Sequence, residues 1–243
     1  MSCIRNLLLT LVFLGLVACK TLAGYPATYS AEDIEAWVID AETKEPVADV
    51  VVVARWVLQG GMHTDEVGSL KIMETVTGPD GRFYFPAWGP EFRPPRTFLW
   101  NQDPELLIFK PGYRFVSLYN TEHFKARKHG KRSSTYDGKK IEMERFTRTA
   151  EKYVRHLHFL DTSLSWAHRV AECKWKLIPR MIIAVEKQKY VAHRLGKVRP
   201  IDVDVQAFRN YLVNSFTLYG GRDPCGAKEF FTKWIKQENH VVN

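Results

Sequence analysis

The sequence predicts a mainly β chain with α: a seven-strand β-sandwich followed by a C-terminal helical region. Two observations predict the sandwich. Short apolar or alternating runs recur at regular spacing between residues 33 and 147, and turn-forming residues separate them. A third observation predicts the tail. Past residue 147 the apolar period lengthens from two residues to that of a helix.

The strands follow in order. Ile34 to Ile39 is the first. Val50 to Val53 is a continuous β-branched run that extends through Arg55, Trp56, Val57 and Leu58, too long for a hairpin tip and suited to a sandwich interior. Gly60-Gly61 ends it. Leu70 to Thr77 alternates, with Leu70, Ile72 and Val76 apolar against Lys71 and Glu74. Gly78-Pro79-Asp80-Gly81 is a turn, and Phe83-Tyr84-Phe85 opens the next strand. Pro86 to Pro104 reads as a proline-rich loop. Leu106 to Phe109 and Tyr113 to Tyr119 flank the Lys110-Pro111-Gly112 turn, and Lys140 to Phe146 adds a last strand.

In the tail, Tyr153, Leu157, Leu160, Leu164 and Ala167 fall on one helix face. Asp161-Thr162-Ser163 offers a cap for a new helix within that stretch. Pro179 precedes Met181, Ile182 and Val185 at helical spacing. Asp204 is an N-cap candidate for Val205 to Phe216, with Phe208, Leu212 and Phe216 four apart. Gly226 to Lys236 carries Phe230, Phe231, Trp234 and Ile235, an amphipathic pattern.

Composition fits a folded chain. Of 243 residues, 45% are hydrophobic and 26% charged, and seven Trp, ten Tyr and fourteen Phe supply a core. Disorder throughout, a collagen-like repeat and a multi-span membrane protein are excluded. The net charge is +8, and part of the excess is local: Lys125, Arg127, Lys128, Lys131 and Arg132 lie within eight residues. Such a patch suits an anionic lipid or polymer surface. The plainer expectation is a solvated loop between strands. No nucleic-acid recognition motif accompanies the run.

Residues 1–6 carry Arg5, and Leu7 to Ala18 is apolar apart from Thr10 and Gly15. Twelve residues span about 18 Å, short of a ~30 Å hydrocarbon core, so the segment reads as a signal peptide, residues 1–18. Leu16-Val17-Ala18-Cys19 resembles the bacterial lipobox. That resemblance implies cleavage before Cys19, acylation of Cys19 and a lipidated tether over residues 19–32. The competing reading is ordinary cleavage after Ala23 or Gly24. Lys20 is compatible with sorting to the outer membrane, so the expected location is a lipid-anchored place in the cell envelope, facing the periplasm or the surface. Cys173 and Cys225 then remain in an oxidising compartment, where a disulfide is the favoured expectation and two buried thiols the other.

Ile39 to Val52, with Asp40, Thr43 and Pro46, resembles the opening of the carboxypeptidase regulatory-like domain. Thr77-Gly78-Pro79-Asp80-Gly81-Arg82-Phe83 resembles its second signature, and Lys110-Pro111-Gly112-Tyr113 a third. The resemblance covers about residues 33–120 and implies a transthyretin-like seven-strand sandwich, placed here at residues 33–147, with the helical region at 148–243. Lys44 and Asp49 stand where the family has glycines, which leaves those two turn geometries open. The whole chain resembles bacterial lipoproteins that carry such a sandwich. The family name implies no peptidase activity.

Enzyme readings rest on short motifs. His63 and Glu66 form an HxxE, the zinc spacing of metallocarboxypeptidases, with His193 a distant third ligand. Intradiol dioxygenases, relatives of the sandwich, bind iron through two Tyr and an HxH. His156 and His158 form an HxH here, but within a helical stretch where i and i+2 point apart. The expectation is therefore a non-catalytic envelope lipoprotein, a binding or scaffolding module with no cofactor. The alternatives are a metal-dependent hydrolase or oxygenase, and an adaptor for anionic polymer or lipid. The expected contact surface is the loop bearing Trp88, Phe92, Arg93, Arg96, Phe98 and Trp100. Against it stands a loop that folds back and buries its aromatics on the helical region.

Overall fold

The computed structural model describes residues 25–61, 63, 65–99, 102–120, 130–168, 172–195, 208, 210–212, 214 and 225–237. The expected leader, Cys19, Trp100, Lys125, Arg127 and Lys128 lie outside them.

The strands in chain order are β1 (Thr28–Ala31), β2 (Ile34–Asp40), β3 (Val51–Gly60), β4 (Asp65–Val76), β5 (Arg82–Phe85) and β6 (Trp88–Phe92). β7 (Thr97–Leu99), β8 (Glu105–Phe109), β9 (Val116–Leu118), β10 (Lys131–Arg132) and β11 (Lys140–Met143) follow. Every strand expected from the sequence is present, as β2, β3, β4, β5, β8, β9 and β11. The other four are short and come from segments expected to be tether or loop. Three of the four pair with one another: β1 pairs antiparallel with β6 and parallel with β10.

Three sheets result. They have the orders β10-β1-β6, β11-β2-β5 and β4-β3-β8-β9, the last with β7 paired to the end of β3. The largest sheet is covered on both faces. Val50, Val52, Ala54, Trp56 and Leu58 face the two smaller sheets, where they meet Ile34, Val38, Phe83, Phe85 and Met143. Val51 and Val53 face the helices, with Leu107 and Phe109 beside them. Side chains alternate along a strand, so one strand feeds two cores. This is why β3 reads as an unbroken apolar run.

The helices are α1 (Ala150–Ser163), α2 (Pro179–Leu195) and α3 (Ala227–Gln237), with a 3-10 turn at Lys174–Leu177. Tyr153, Leu157, Leu160, Leu164 and Ala167 are all buried, as their spacing requires. α1 runs unbroken to Ser163, so Asp161 caps no new helix. It faces His168 and Lys189 instead, each at 3.4 Å. Phe208 and Leu212 are helical and buried in the same core. Glu74 of β4 fixes the start of α2, accepting the Met181 N–H at 2.7 Å and the Arg180 N–H at 3.1 Å. Pro179 opens that helix, where a missing N–H costs nothing. No described helix is long and apolar enough to cross a membrane.

Cys173 and Cys225 form the expected disulfide, Cα atoms 5.7 Å apart. It joins the 3-10 turn to the start of α3, beside Trp175 stacked on Phe231 at 4.9 Å. The two positions left open by the family resemblance keep a left-handed backbone without glycine: φ is 61° at Lys44 and 54° at Asp49. That conformation costs roughly 1–2 kcal/mol for an L-residue. Neighbours hold it in place. Asp40 Oδ1 accepts the N–H groups of Glu42 and Thr43, and the Asp49 N–H donates to the Thr77 carbonyl.

Two outcomes test this architecture. Phe109→Ala, at the seam between sheet and helices, should lower the unfolding free energy by about 3–5 kcal/mol in urea titrations. A Cys173→Ser/Cys225→Ser double variant should lower it by about 2–4 kcal/mol, since the bridge closes a loop of 52 residues.

Candidate functional site

Two concave sites lie at opposite ends of the β8–β9 hairpin. The first is a basic groove at the seam between sandwich and α1, about 400 Å³ in volume. Three segments build it. Arg114 follows the Lys110-Pro111-Gly112 turn. Glu144, Arg145 and Arg148 follow β11. Lys152, Arg155, His156 and Phe159 occupy one face of α1 at i, i+3, i+4 and i+7. An isolated bridge between Tyr113 and Arg145 brings the first two segments together. The buried face of α1 positions the third.

Five fixed cations and one carboxylate line the groove. Arg114 donates to Glu144 at 3.0 Å. Arg145 donates from Nε to Asp40 Oδ2 at 2.7 Å, and Arg155 reaches Glu151 at 3.5 Å. Arg148 and Lys152 enter no ion pair among the described residues. Thr149, the N-cap of α1, makes no side-chain cap. Asp40 anchors the wall from beneath. Its carboxylate takes two backbone N–H groups, the Tyr113 hydroxyl at 2.9 Å and Arg145, which together hold its pKa well below the usual carboxylate range.

His156 sits between Phe115 and Phe146 and accepts the Phe115 N–H on Nε2 at 3.0 Å. Burial, reinforced by the charge of Arg114, pushes its pKa down to about 4. The imidazole is neutral at pH 7 and acts as an acceptor. Phe159, next to it on the helix, is 57% exposed.

The second site is a cleft of about 320 Å³ lined by Val57, Gln59, Glu66, Gln102, Asp103, Glu105 and Tyr119. Arg55 lies behind it, a buried cation in the middle of β3. Its guanidinium donates to Glu66, to Glu105 at 3.4 Å and to Ser69 at 2.9 Å, and lies 4.4 Å from the centre of the Trp166 ring. The Tyr119 hydroxyl donates to Glu105 Oε1 at 2.8 Å. Burial and the Glu105 charge push that hydroxyl up to about 12. Asp103 accepts the Val57 N–H on Oδ1 at 2.7 Å, and burial pushes its pKa up to about 8.

The residues singled out in the sequence are dispersed. Trp88 and Phe98 are buried, Trp88 edge-on to Trp56 and Phe98 stacked on Tyr25. Arg93 turns inward to the carbonyls of Pro26 and Thr97, while Arg96 and Phe92 are exposed. This corrects the expectation of a shared aromatic contact surface. The competing expectation holds in part: Trp88 is buried, but in the sandwich core and not on the helices. Arg132 is not part of a surface patch. It is 2% exposed, donates to the Leu99 carbonyl at 3.0 Å and lies over Tyr29. Lys131 is exposed and pairs with Glu32. Glu66 is held by Arg55, His63 stands exposed in the β3–β4 turn, and the His193 side chain lies outside the described residues. His156 turns inward and His158 outward. No three His, Cys, Asp or Glu side chains among the described residues form a metal-binding group.

No protein-family model matches the chain, and no curated protein matches it. Among solved structures it is similar to 3-chlorocatechol 1,2-dioxygenase from Rhodococcus opacus 1CP, at TM-score 0.29 and 16% identity over 49% of this chain and 60% of that one. It is similar to the dioxygenase domain of a dioxygenase carbohydrate-binding protein fusion from Streptomyces sp. SirexAA-E, at 0.27 and 15% over 51% and 83%. A 9R-lipoxygenase from Cyanothece PCC8801 gives 0.26 and 12% over 75% and 26%. Likeness at this level carries no argument about activity.

The neutral, buried His156 gives this site a pH signature. The unfolded chain takes up a proton near pH 6.5, the folded chain only near 4. Stability linked to His156 is complete above about 6.5 and is lost as pH falls toward 4. Urea titrations between pH 4.5 and 7 should show a slope of up to about 1.4 kcal/mol per pH unit that His156→Gln removes.

Proposed function

We propose that this protein is a non-catalytic, lipid-anchored binding module of the cell envelope, built on a carboxypeptidase regulatory-like sandwich, whose basic groove takes an anionic lipid headgroup. One observation carries the reading. Arg114, Arg145, Arg148, Lys152 and Arg155 converge from three separate segments on one concave face. Concentrated like charge raises the local density of an anionic partner, and each Lys or Arg near an anionic membrane contributes about 1 kcal/mol. Exposed Phe159 beside these cations favours an amphiphile over a fully polar anion. An acyl anchor on Cys19 would hold the groove within reach of a bilayer. The metal-dependent alternative through His63 and Glu66 would first have to release Glu66 from Arg55.

The groove is tested on the non-acylated Cys19→Ala chain, so that the anchor does not mask it. Vesicles of an anionic phosphoglyceride mixed with phosphatidylcholine should retain the chain at low salt, and phosphatidylcholine vesicles should not. Arg148→Glu/Lys152→Glu should weaken retention about tenfold or more, as should raising the salt to about 0.5 M. Equal retention on neutral vesicles, or an unchanged double variant, would refute the reading.

A further inference from the structure

We infer that the anionic group taken by the basic groove is a terminal phosphomonoester, doubly charged at neutral pH and carried on a lipid. The inference deepens the headgroup reading above and rests on it.

The ion pairs leave room for two negative charges. Of the five cations lining the groove, three are each matched by one carboxylate. Arg114 pairs with Glu144, Arg145 with Asp40, and Arg155 with Glu151. Arg148 and Lys152 are left, with no ion pair among the described residues. Two like charges on one concave face repel each other until an anion answers them. A singly charged phosphodiester answers one; a phosphomonoester dianion answers both.

The open donors agree with the charge. Arg145 engages Asp40 through Nε alone, so both of its Nη groups remain. Arg114 uses only Nη1 on Glu144, and Arg155 only Nη2 on Glu151. The remaining N–H groups, with those of Arg148 and Lys152, come from three segments: the residue after the Lys110-Pro111-Gly112 turn, the stretch after β11, and the first half of α1. A phosphomonoester has three terminal oxygens, enough for each segment to take one, and a guanidinium fork can hold two. A phosphodiester has only two such oxygens and carries a second substituent on a third.

Phe159 assigns the monoester to a lipid. It lines the same groove one helical turn beyond Arg155 and is 57% exposed. Its ring gives an apolar contact to the glycerol esters and first acyl carbons, a contact that a free phosphomonoester leaves unused.

Protonation separates ligand from protein. A phosphomonoester takes up its second proton near about pH 6, and a phosphodiester has none to take up there. Asp40 beneath Arg145 is held well below the usual carboxylate range, and His156 beside Arg155 is pushed down to about 4. Neither changes charge between pH 5.5 and 7.5. Glu144 and Glu151, the other carboxylates facing the cations, act on both kinds of ester alike. A pH dependence found for the monoester alone therefore reports the ligand.

The test is calorimetric titration of the non-acylated Cys19→Ala chain with dihexanoyl phosphatidate and dihexanoyl phosphatidylglycerol, both below their micellar concentrations. Phosphatidate should bind at least about fivefold more tightly at pH 7.5, and the ratio should fall to about twofold at pH 5.5. Arg148→Gln/Lys152→Gln changes two exposed residues and should bind the two lipids equally. Glycerol 3-phosphate, the head without acyl chains, should bind more weakly than phosphatidate. Equal affinity for the two lipids, no binding of either, a preference undiminished at pH 5.5 or in the double variant, or glycerol 3-phosphate binding as tightly as phosphatidate would each overturn the inference. If the lipids bind equally while anionic vesicles still retain the chain, the inference fails and the headgroup reading stands. If neither lipid binds and anionic vesicles do not retain the chain, both fail.

Discussion

Two-sided burial of β3 is the constraint on which the rest of this structure depends. Eight successive residues, Val51 to Leu58, are buried. A strand can bury every residue only if each face of its sheet is covered. The even-numbered side chains require the two smaller sheets, and the odd-numbered ones require the helices. The helical region is therefore not an appendage to a finished sandwich. Without it, Val51, Val53, Leu107 and Phe109 would form an apolar patch of the kind that soluble domains do not leave in water. Residues 33–147 and 148–243 are distinct in sequence pattern, yet they share a core.

The same strand explains the placement of charge. Arg55 falls in the odd-numbered series, so it points to the helix side, where no water is available to it. A buried guanidinium must be paired and hydrogen-bonded. Its register partner on β8 is Glu105, and Ser69 and Glu66 come from β4. These demands place two carboxylates at one end of the hairpin. At the other end, the helix packed on Phe109 carries its polar face outward and lays Lys152 and Arg155 beside Arg114 and Arg145. Both sites are consequences of how the helices cover one sheet face.

Much of this was legible in the sequence. Apolar runs, alternating or continuous, located every main strand, and the helical spacing of Tyr153, Leu157, Leu160 and Leu164 located the core face of α1. The functional surfaces were less legible, for a physical reason. A run such as Lys125 to Arg132 is conspicuous in one dimension, but strand alternation places Arg132 inside the protein next to exposed Lys131. The basic groove is the reverse case. Its cations come from three segments, and no single stretch looks basic. Lys152 and Arg155 could have been read as part of the polar face away from Tyr153 and Leu157. Arg114 could join them only once the Tyr113–Arg145 bridge was known. The cleft had one visible signal, a lone arginine inside a β-branched run. An isolated charge in a strand buried on both faces has to be answered by partners from elsewhere.

The two left-handed turns make a related point. Lys44 and Asp49 are not glycines, yet both adopt a left-handed backbone. Local preference would have unwound these turns. Asp40 prevents this at the first, because its carboxylate holds two N–H groups of the turn along with Tyr113 and Arg145 from distant segments. Thr77 does so at the second: its carbonyl takes the Asp49 N–H, and its hydroxyl accepts the Val50 N–H while donating to Val47. Each is a buried polar residue whose bonds outweigh the local backbone cost. A turn can therefore hold a left-handed residue other than glycine when buried hydrogen-bonding residues beside it fix the backbone. Asp40 also holds Arg145 at the groove wall. The residue that keeps the strained turn is thus the one that positions part of the proposed binding surface.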